Sequence, residues 1–211
     1  MEPLRLRHLF ARTLRASLAS PLVLAGCGVV DLTGYSSPAC ENGYLTVTGL
    51  NPAVPPDFVQ LRDFHTYFYP TEEPITSPNA RGSSGTACAT ASQPAACQSA
   101  LDALTTKNGF LRSCGIDACT NYFLATTRGD DVKAIDTLDG LRDFLGTIDT
   151  AQEAALLAFA QGYNLRCDNP SRGAVRADAD GGFHVITTQG HSCGAGSNMT
   201  RHILSVSPPG T

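Results

Sequence analysis

Eight cysteines are the residues of this chain whose type and spacing carry the most chemistry. Such a number is typical of exported proteins, because an oxidising compartment lets disulfides form and persist. Local spacing suggests three bridges: Cys88–Cys97, Cys114–Cys119 and Cys167–Cys193. Cys40 is left unpaired by this scheme. Since connectivity does not follow from sequence, Cys40 is a free thiol, an intermolecular bridge, or the true partner of Cys114 or Cys119.

Three histidines, His184, His191 and His202, are weak candidates for a zinc or copper site, because all three fall in one predicted hairpin. His184 and His191 have opposite parity along their segment, which separates their side chains onto different faces. The spacing of Cys114 and Cys119 has no matching second pair and is not that of a thioredoxin-type motif. We therefore expect no metal and no other cofactor.

Gly190–Gly194 has the Gly-x-Ser-x-Gly spacing of the nucleophile elbow in α/β-hydrolases. That elbow requires a strand before it and a helix after it, whereas the residues Gly-Ala-Gly-Ser-Asn follow in this chain. No aspartate or glutamate occurs after Ser192, so no downstream acid can orient His202. We therefore predict no catalytic residues and a protein that is not an enzyme.

Three further motifs are better explained by structure than by binding. Asp178–Gly182 lacks the later oxygen ligands of a calcium loop and predicts an acidic turn. Arg128–Asp130, an Arg-Gly-Asp tripeptide, lies between two predicted strands and also predicts a turn. The aromatic run Tyr67–Tyr69 is either a carbohydrate-stacking face or, given strand alternation, partly core.

The pattern of apolar residues predicts an α+β fold, with an antiparallel sheet and two or three short helices held by disulfides. Thr150 and Glu153 form a capping box at the start of a buried helix, and Thr137 can cap the helix before it. Predicted strands are 44–48, 58–61, 64–69, 121–127, 132–135, 163–167, 174–177, 183–188 and 202–206; predicted helices are 94–104, 137–145 and 150–161. Residues 70–87 are predicted to be a flexible loop.

The N-terminus has the pattern of a secretory signal. Four arginines precede a short apolar run, Leu18–Leu24, that is too short to span a bilayer as a folded helix. The ending Leu24-Ala25-Gly26-Cys27 resembles the lipobox of bacterial lipoprotein precursors. This resemblance implies that residues 1–26 are removed and that the Cys27 sulfur carries a diacylglyceryl group.

The predicted mature chain has 185 residues. Residues 27–43 are expected to be a lipidated N-terminus and tether, and residues 44–211 a single domain. Loss of residues 1–26 removes four arginines and one glutamate and shifts the formal net charge from −4 to −7. Such a charge argues against nucleic acid as a partner. Membrane attachment would depend on acyl chains, of which two or three give stable anchoring.

Cys40–Leu50 and Tyr122–Cys167 are similar to segments of uncharacterised lipoproteins of myxobacteria, which carry no activity that could be transferred. Gly28 follows Cys27, where an aspartate would imply retention in the inner membrane, so the resemblance implies the outer membrane. We therefore expect an envelope-exposed, lipid-anchored, non-catalytic binding or structural module with an envelope protein or a glycan as partner. The alternative is a small metal-binding or thiol-redox envelope protein.

Overall fold

A computed structural model describes residues 31–67, 77–115, 117–190 and 198–210. The described residues from Leu32 onward form one compact unit. The described strands and helices are, in chain order, β1 (Cys40–Glu41), β2 (Tyr44–Leu45), β3 (Phe58–Tyr67), β4 (Asn79–Gly85), α1 (Pro94–Asp102), β5 (Leu111–Cys114), β6 (Ala118–Arg128), β7 (Asp131–Ile135), α2 (Leu138–Leu145), α3 (Ala151–Ala160), β8 (Ala174–Ala177), β9 (Phe183–Gln189) and β10 (Thr200–Val206). The fold is α+β with antiparallel sheets, as predicted.

The larger sheet is organised around β6. Strand β3 pairs with one edge of β6 along ten residues, and β4 pairs with the other edge of β3. The remaining edge of β6 pairs first with β5 and then with β7, which lie end to end. The sheet therefore has five strands in the order β4-β3-β6-β5, with β7 also paired to β6.

Both faces of the central strands β3 and β6 are buried, because successive side chains along a strand point to opposite faces and both sets are covered. Val59, Leu61 and Leu124 face the main core, whereas Phe64 and Phe123 face a smaller cluster that contacts α1. The rings of Phe64 and Phe123 make an edge-to-face contact at 6.0 Å. Because both faces are covered, almost every residue of β3 and β6 is buried or half-buried.

The smaller sheet has three strands in the order β10-β9-β8. One face of this sheet, which includes Val175 and Val185, packs against α3 in the main core. The Phe159 ring of α3 contacts Tyr122 of the larger sheet at 5.0 Å. Helix α3 is apolar on nearly all sides because it touches both sheets, as expected of a helix buried all round.

The helix caps follow the predictions. Thr137 accepts a hydrogen bond from the Gly140 N–H, and Gly146 ends α2 with φ of 70°. The Thr150 and Glu153 side chains form the predicted capping box of α3. These caps satisfy backbone N–H groups that a helix start leaves without a partner.

The structure corrects four of the predicted segments. Residues 79–85 of the predicted loop form β4, whose polar sequence gives no strand signal; pairing with β3 makes it a strand. Strand β3 runs unbroken through Arg62 and Asp63, because both charges find partners. Residues 163–167 make only one bridge, at Asn164. From Ser36 onward the predicted tether is attached to the domain, because Ser36 and Val175 exchange backbone hydrogen bonds.

No helix in the described part of the chain is long and apolar enough to cross a bilayer.

Candidate functional site

A cleft of about 640 Å³ opens beside the end of β9. Its walls come from β5, from the segment after α3, and from the residues that flank the β9–β10 connection. The side chains that give it chemical character are Ser113, Asn164, Arg166, Arg172, Gln189 and Met199. We call this surface the arginine cleft.

Backbone pairing fixes the position of the arginines. Asn164 and Thr188 exchange two backbone hydrogen bonds, of 2.8 and 2.9 Å, which join the segment after α3 to β9. The Arg166 N–H donates to the Arg172 carbonyl and closes the intervening loop. A side chain at Gly173 would lie 2.5 Å from the Arg166 backbone, so this approach requires glycine. Both guanidinium stems therefore start from one tight loop.

The arginines at the cleft differ in whether a carboxylate neutralises their charge. The Arg166 guanidinium donates to both carboxylate oxygens of Asp168, at 3.1 and 2.9 Å. These bonds hold the pKa of Asp168 below its ordinary value and raise the pKa of Arg166. The Arg172 guanidinium instead contacts the Met199 sulfur, and Arg201 donates to the Ser171 carbonyl at 2.7 Å. Within the described residues, neither Arg172 nor Arg201 forms an ion pair with a carboxylate.

Neutral polar groups complete the cleft. The side-chain amides of Asn164 and Gln189 and the Ser113 hydroxyl have no hydrogen-bond partner among the described residues. A guanidinium group presents a planar fork of donors that suits carboxylate and phosphate oxygens. The arrangement can therefore bind a small anion, with amides and a hydroxyl available for its other polar groups.

A disulfide links the arginine cleft to the N-terminal segment. Cys167, between Arg166 and Asp168, is bonded to Cys40 across 127 residues of sequence. The predicted Cys167–Cys193 bridge and the unpaired Cys40 are therefore wrong; Cys193 itself lies outside the described residues. The reason is tertiary: the Ser36–Val175 pairing and a bond from the Ala39 N–H to Gln152 lay the N-terminal segment beside this loop.

The other two bridges join the cysteines that local spacing suggested. Cys88 and Cys97 connect the loop before α1 to the helix itself. Cys114 and Cys119 lie directly opposite each other in the β5–β6 hairpin. Both bridges close short loops, which is why sequence separation was a good guide to them.

Sequence reasoning missed a polar row on the outer face of the smaller sheet. The Ser205 hydroxyl lies 3.4 Å from His184 Nδ1, and His184 Nε2 lies 3.3 Å from Asp178. Ser205 and His184 are direct cross-strand neighbours in β10 and β9. The register of the two strands brings them together, and no local motif marks the set.

This row has the residue types of a hydrolase triad, but its geometry is that of a surface network. Both contacts exceed the usual range of about 2.6–3.2 Å between a nucleophile, its base and an orienting group. Ser205 is exposed on a regular strand, whereas acyl transfer also requires donors aimed at the developing oxyanion. We interpret the row as cross-strand hydrogen bonding that orients the His184 ring.

The structure separates the histidines that sequence analysis grouped. His202 lies opposite Thr187 in the β9–β10 ladder, three positions from His184, so the two imidazoles are on opposite faces of the sheet. The His202 ring contacts Tyr163 at 5.5 Å, and His191 lies outside the described residues. In the part of the chain that the structure describes, no three potential ligands gather into a metal site.

The remaining motifs are turns where they are described. The Asp130 carboxylate of the Arg-Gly-Asp tripeptide accepts hydrogen bonds from Ser92 N–H, Ser92 Oγ and Gln93 N–H, which ties the β6–β7 turn to the loop before α1. Asp178 donates its backbone N–H to Gly182 and closes the predicted acidic turn. Cys27, residues 68–69 and residues 191–194 lie outside the described residues.

Comparison with known proteins gives no relative from which a role could be transferred: no protein family, no curated protein and no solved structure matches this chain.

Proposed function

We propose that this chain is a lipid-anchored, envelope-exposed and non-catalytic module that binds a small anionic ligand in the arginine cleft. The observation that carries the proposal is the Arg172 guanidinium, which lines a cleft of about 640 Å³ and forms no direct ion pair among the described residues, although its charge contributes to the lowered pKa of Asp168. The predicted mature chain is acidic, so a cationic cleft stands out against its charge.

Two features support the anchored, exported part of the proposal. Three disulfides require an oxidising compartment for their persistence. Ser36, which pairs with Val175, follows the proposed lipidation site, Cys27, by nine residues. A flexible chain of that length would reach roughly 17 Å in root-mean-square terms. Because Cys40 is bonded to Cys167, the arginine cleft would lie close to the point of attachment.

The ligand class follows from the donors. One guanidinium can supply a bidentate contact to a carboxylate or a phosphate, and the amides of Asn164 and Gln189 suit hydroxyl or carbonyl groups. The cleft is of a size typical for small-molecule sites, about 300–1,000 Å³. We therefore expect a small anionic ligand, such as an acidic sugar or a phosphate ester, and no nucleic acid.

Titration calorimetry with inorganic phosphate and with glucuronate tests the binding site. We expect Arg172→Ala to weaken binding of the preferred anion by at least about tenfold, the equivalent of one charged hydrogen bond. Arg142→Ala is the matched control, because Arg142 is paired with Asp139 outside the cleft. Equal affinity of Arg172→Ala and wild type, or no binding of either anion by wild type, would overturn the assignment.

The anchor has a separate test. Mass spectrometry of the membrane-extracted protein should find a diacylglyceryl group on an N-terminal Cys27, and Cys27→Ser should release the protein into the soluble fraction. An intact N-terminus upstream of Cys27 on a soluble chain would contradict anchoring and leave the binding test unaffected.

The alternative of a thiol-redox or metal-binding protein loses a main support, because Cys40 is in a disulfide and is not a free thiol. His184 and His202 also face opposite sides of their sheet. Stoichiometric metal in protein purified from the envelope, lost in His184→Ala, would favour this alternative over the binding module.

A further inference from the structure

Strand β10 forms one edge of the smaller sheet. Its seven residues pair with β9 without a register break, and no strand pairs with its other edge in the part of the chain that the structure describes. An edge of this kind presents a row of backbone N–H and C=O groups to any strand that can reach it. Strand β10 is therefore a template for pairing with another chain.

Two other edge strands are irregular or partly covered. The β3–β4 pairing has a register irregularity between Leu61 and Arg62, and Ser36 forms a bridge with Val175 of β8. Strand β10 contains no proline and no bulge, which are two common devices against edge pairing. Its central residue, Ile203, is 55% exposed, the most exposed of the large apolar side chains in the described residues.

We propose that β10 pairs antiparallel with β10 of a second copy of this chain, so that two three-stranded sheets join into one of six strands. A two-fold axis normal to the sheet pairs residues of the same face, so one residue of β10 must lie directly opposite its own copy, with the axis midway between the two copies. Centring it on Ile203 is the one arrangement that pairs all seven residues of the strand.

The side chains are complementary in this register. Ile203 faces its own copy, and cross-strand pairs of β-branched residues are stabilising. Arg201 faces Ser205, so the two positive charges do not oppose each other; a centre at Arg201 would place them together. His202 faces Leu204, and Thr200 faces Val206. This self-complementarity, with the apolar residue on the axis, is what selects a second copy as the occupant.

Sedimentation of the mature chain with Cys27→Ser, which removes the lipid anchor, tests the oligomeric state. We expect a dimer for this protein and a monomer for Ile203→Asp, because the substitution places two carboxylates against each other on the axis. Val54→Asp is the matched control, since Val54 is 50% exposed at a site away from β10. A monomeric parent protein, or a dimer that persists in Ile203→Asp, would overturn the proposal.

Disulfide trapping tests the register, in a background with Cys27→Ser and Cys193→Ser that removes both cysteines outside the described bridges. Directly opposed residues have Cβ atoms about 4.5–5.5 Å apart, so Ile203→Cys should cross-link to its own copy. Arg201→Cys alone should not cross-link, whereas a mixture of Arg201→Cys and Ser205→Cys should. Self-cross-linking of Arg201→Cys, or none of Ile203→Cys, would contradict the Ile203-centred pairing.

Both tests use lipid-free protein without an anion. A failed dimer therefore leaves the proposed anchor and arginine cleft untouched, and failure of the anion to bind leaves the dimer untouched.

Discussion

The two sheets of this protein share the main core but differ in how much of their faces is buried and in whether their edges are paired. The central strands of the five-stranded sheet, β3 and β6, are buried on both faces, and the charges of Arg62 and Asp63 have partners. The three-stranded sheet is packed against α3 on one face, whereas its other face carries the Ser205–His184–Asp178 row and its β10 edge remains unpaired within the described residues. The comparison shows that both sheets contribute to the main core, whereas the β10 edge and the outer polar row belong to the smaller sheet.

Buried charges in the closed region serve structure. Arg62 donates from its guanidinium to the carbonyls of Leu101 and Leu104 and so satisfies the C-terminal end of α1. Its burial lowers the pKa of Arg62 from the ordinary value. The Glu153 carboxylate, fully buried, accepts hydrogen bonds from the backbone N–H groups of Asn51, Asp149 and Thr150. Such groups are fully engaged by the fold and leave nothing for a ligand.

The largest expected effect is on the disulfide that joins the N-terminal segment to the arginine cleft. Replacing both Cys40 and Cys167 by serine should lower the free energy of unfolding by about 5 kcal/mol, because a long loop loses its closure. Replacing Cys114 and Cys119, five residues apart, should cost only about 2 kcal/mol. Urea denaturation measures both values. A larger loss for the short loop would contradict the chain-entropy reasoning.

Removing the partner of a single buried charge in the five-stranded sheet should lower the free energy of unfolding by a somewhat smaller amount. Arg81→Met leaves the Asp63 carboxylate, whose side chain is 2% exposed, without its cationic partner at 2.7 Å. We expect a loss of about 3 kcal/mol in unfolding free energy, the usual result of orphaning a buried charge. The control is Arg142→Met, which breaks the exposed pair with Asp139 and should cost about 0.5 kcal/mol or less. Equal losses of unfolding free energy in the two variants would show that the buried ion pair contributes no more to stability than the exposed one.

Acid should weaken the turn that closes the larger sheet. Hydrogen bonds from the Thr90 hydroxyl and the Gly129 N–H lower the pKa of Asp57, and the Ser92 hydroxyl and the Gln93 N–H lower the pKa of Asp130. A lowered pKa in the folded state stabilises the protein above the unfolded value of 3.8, and this contribution is lost as the pH falls through the folded pKa.

Melting temperatures measured between pH 7 and pH 2 test this prediction. The variant with both Asp57→Asn and Asp130→Asn should melt lower at pH 7 and lose less stability on acidification than wild type. Parallel curves for the two proteins would show that these carboxylates do not contribute to the acid response.

The smallest effect is expected on the outer face of the smaller sheet. His184→Ala and Ser205→Ala should each change the unfolding free energy by no more than about 0.5 kcal/mol, because their contacts are long and partly exposed. The same Ser205→Ala variant tests whether the row acts as a triad. Covalent labelling of the wild type by a fluorophosphonate probe, lost in Ser205→Ala, would show that the open face performs catalysis and that the row is more than a surface network.

Features with a local physical cause were predictable. The capping side chains of α2 and α3 and the glycine stop of α2 act within one helical turn. The β6–β7 hairpin and the turn at Asp178–Gly182 depend on residues that tolerate positive φ, as at Gly129 and Gly181. The two short disulfides belong to the same group.

Contacts between distant segments were not predictable. Strand β4 has no apolar alternation and is a strand only because β3 offers it a partner. The arginine cleft combines residues from 113 to 199, and the β10 edge is recognisable only once the strand order is known. No spacing in the sequence encodes either surface.

The sequence by itself therefore determined an α+β chain, its helix caps and its turns, and its local spacing suggested two of the bridges. Only the tertiary structure decided that Cys40 pairs with Cys167 and which surfaces remain open. The physical reason is range: caps and turns are set by hydrogen bonds within a few residues. Bridging 127 residues and leaving one edge unpaired depend on how whole elements pack.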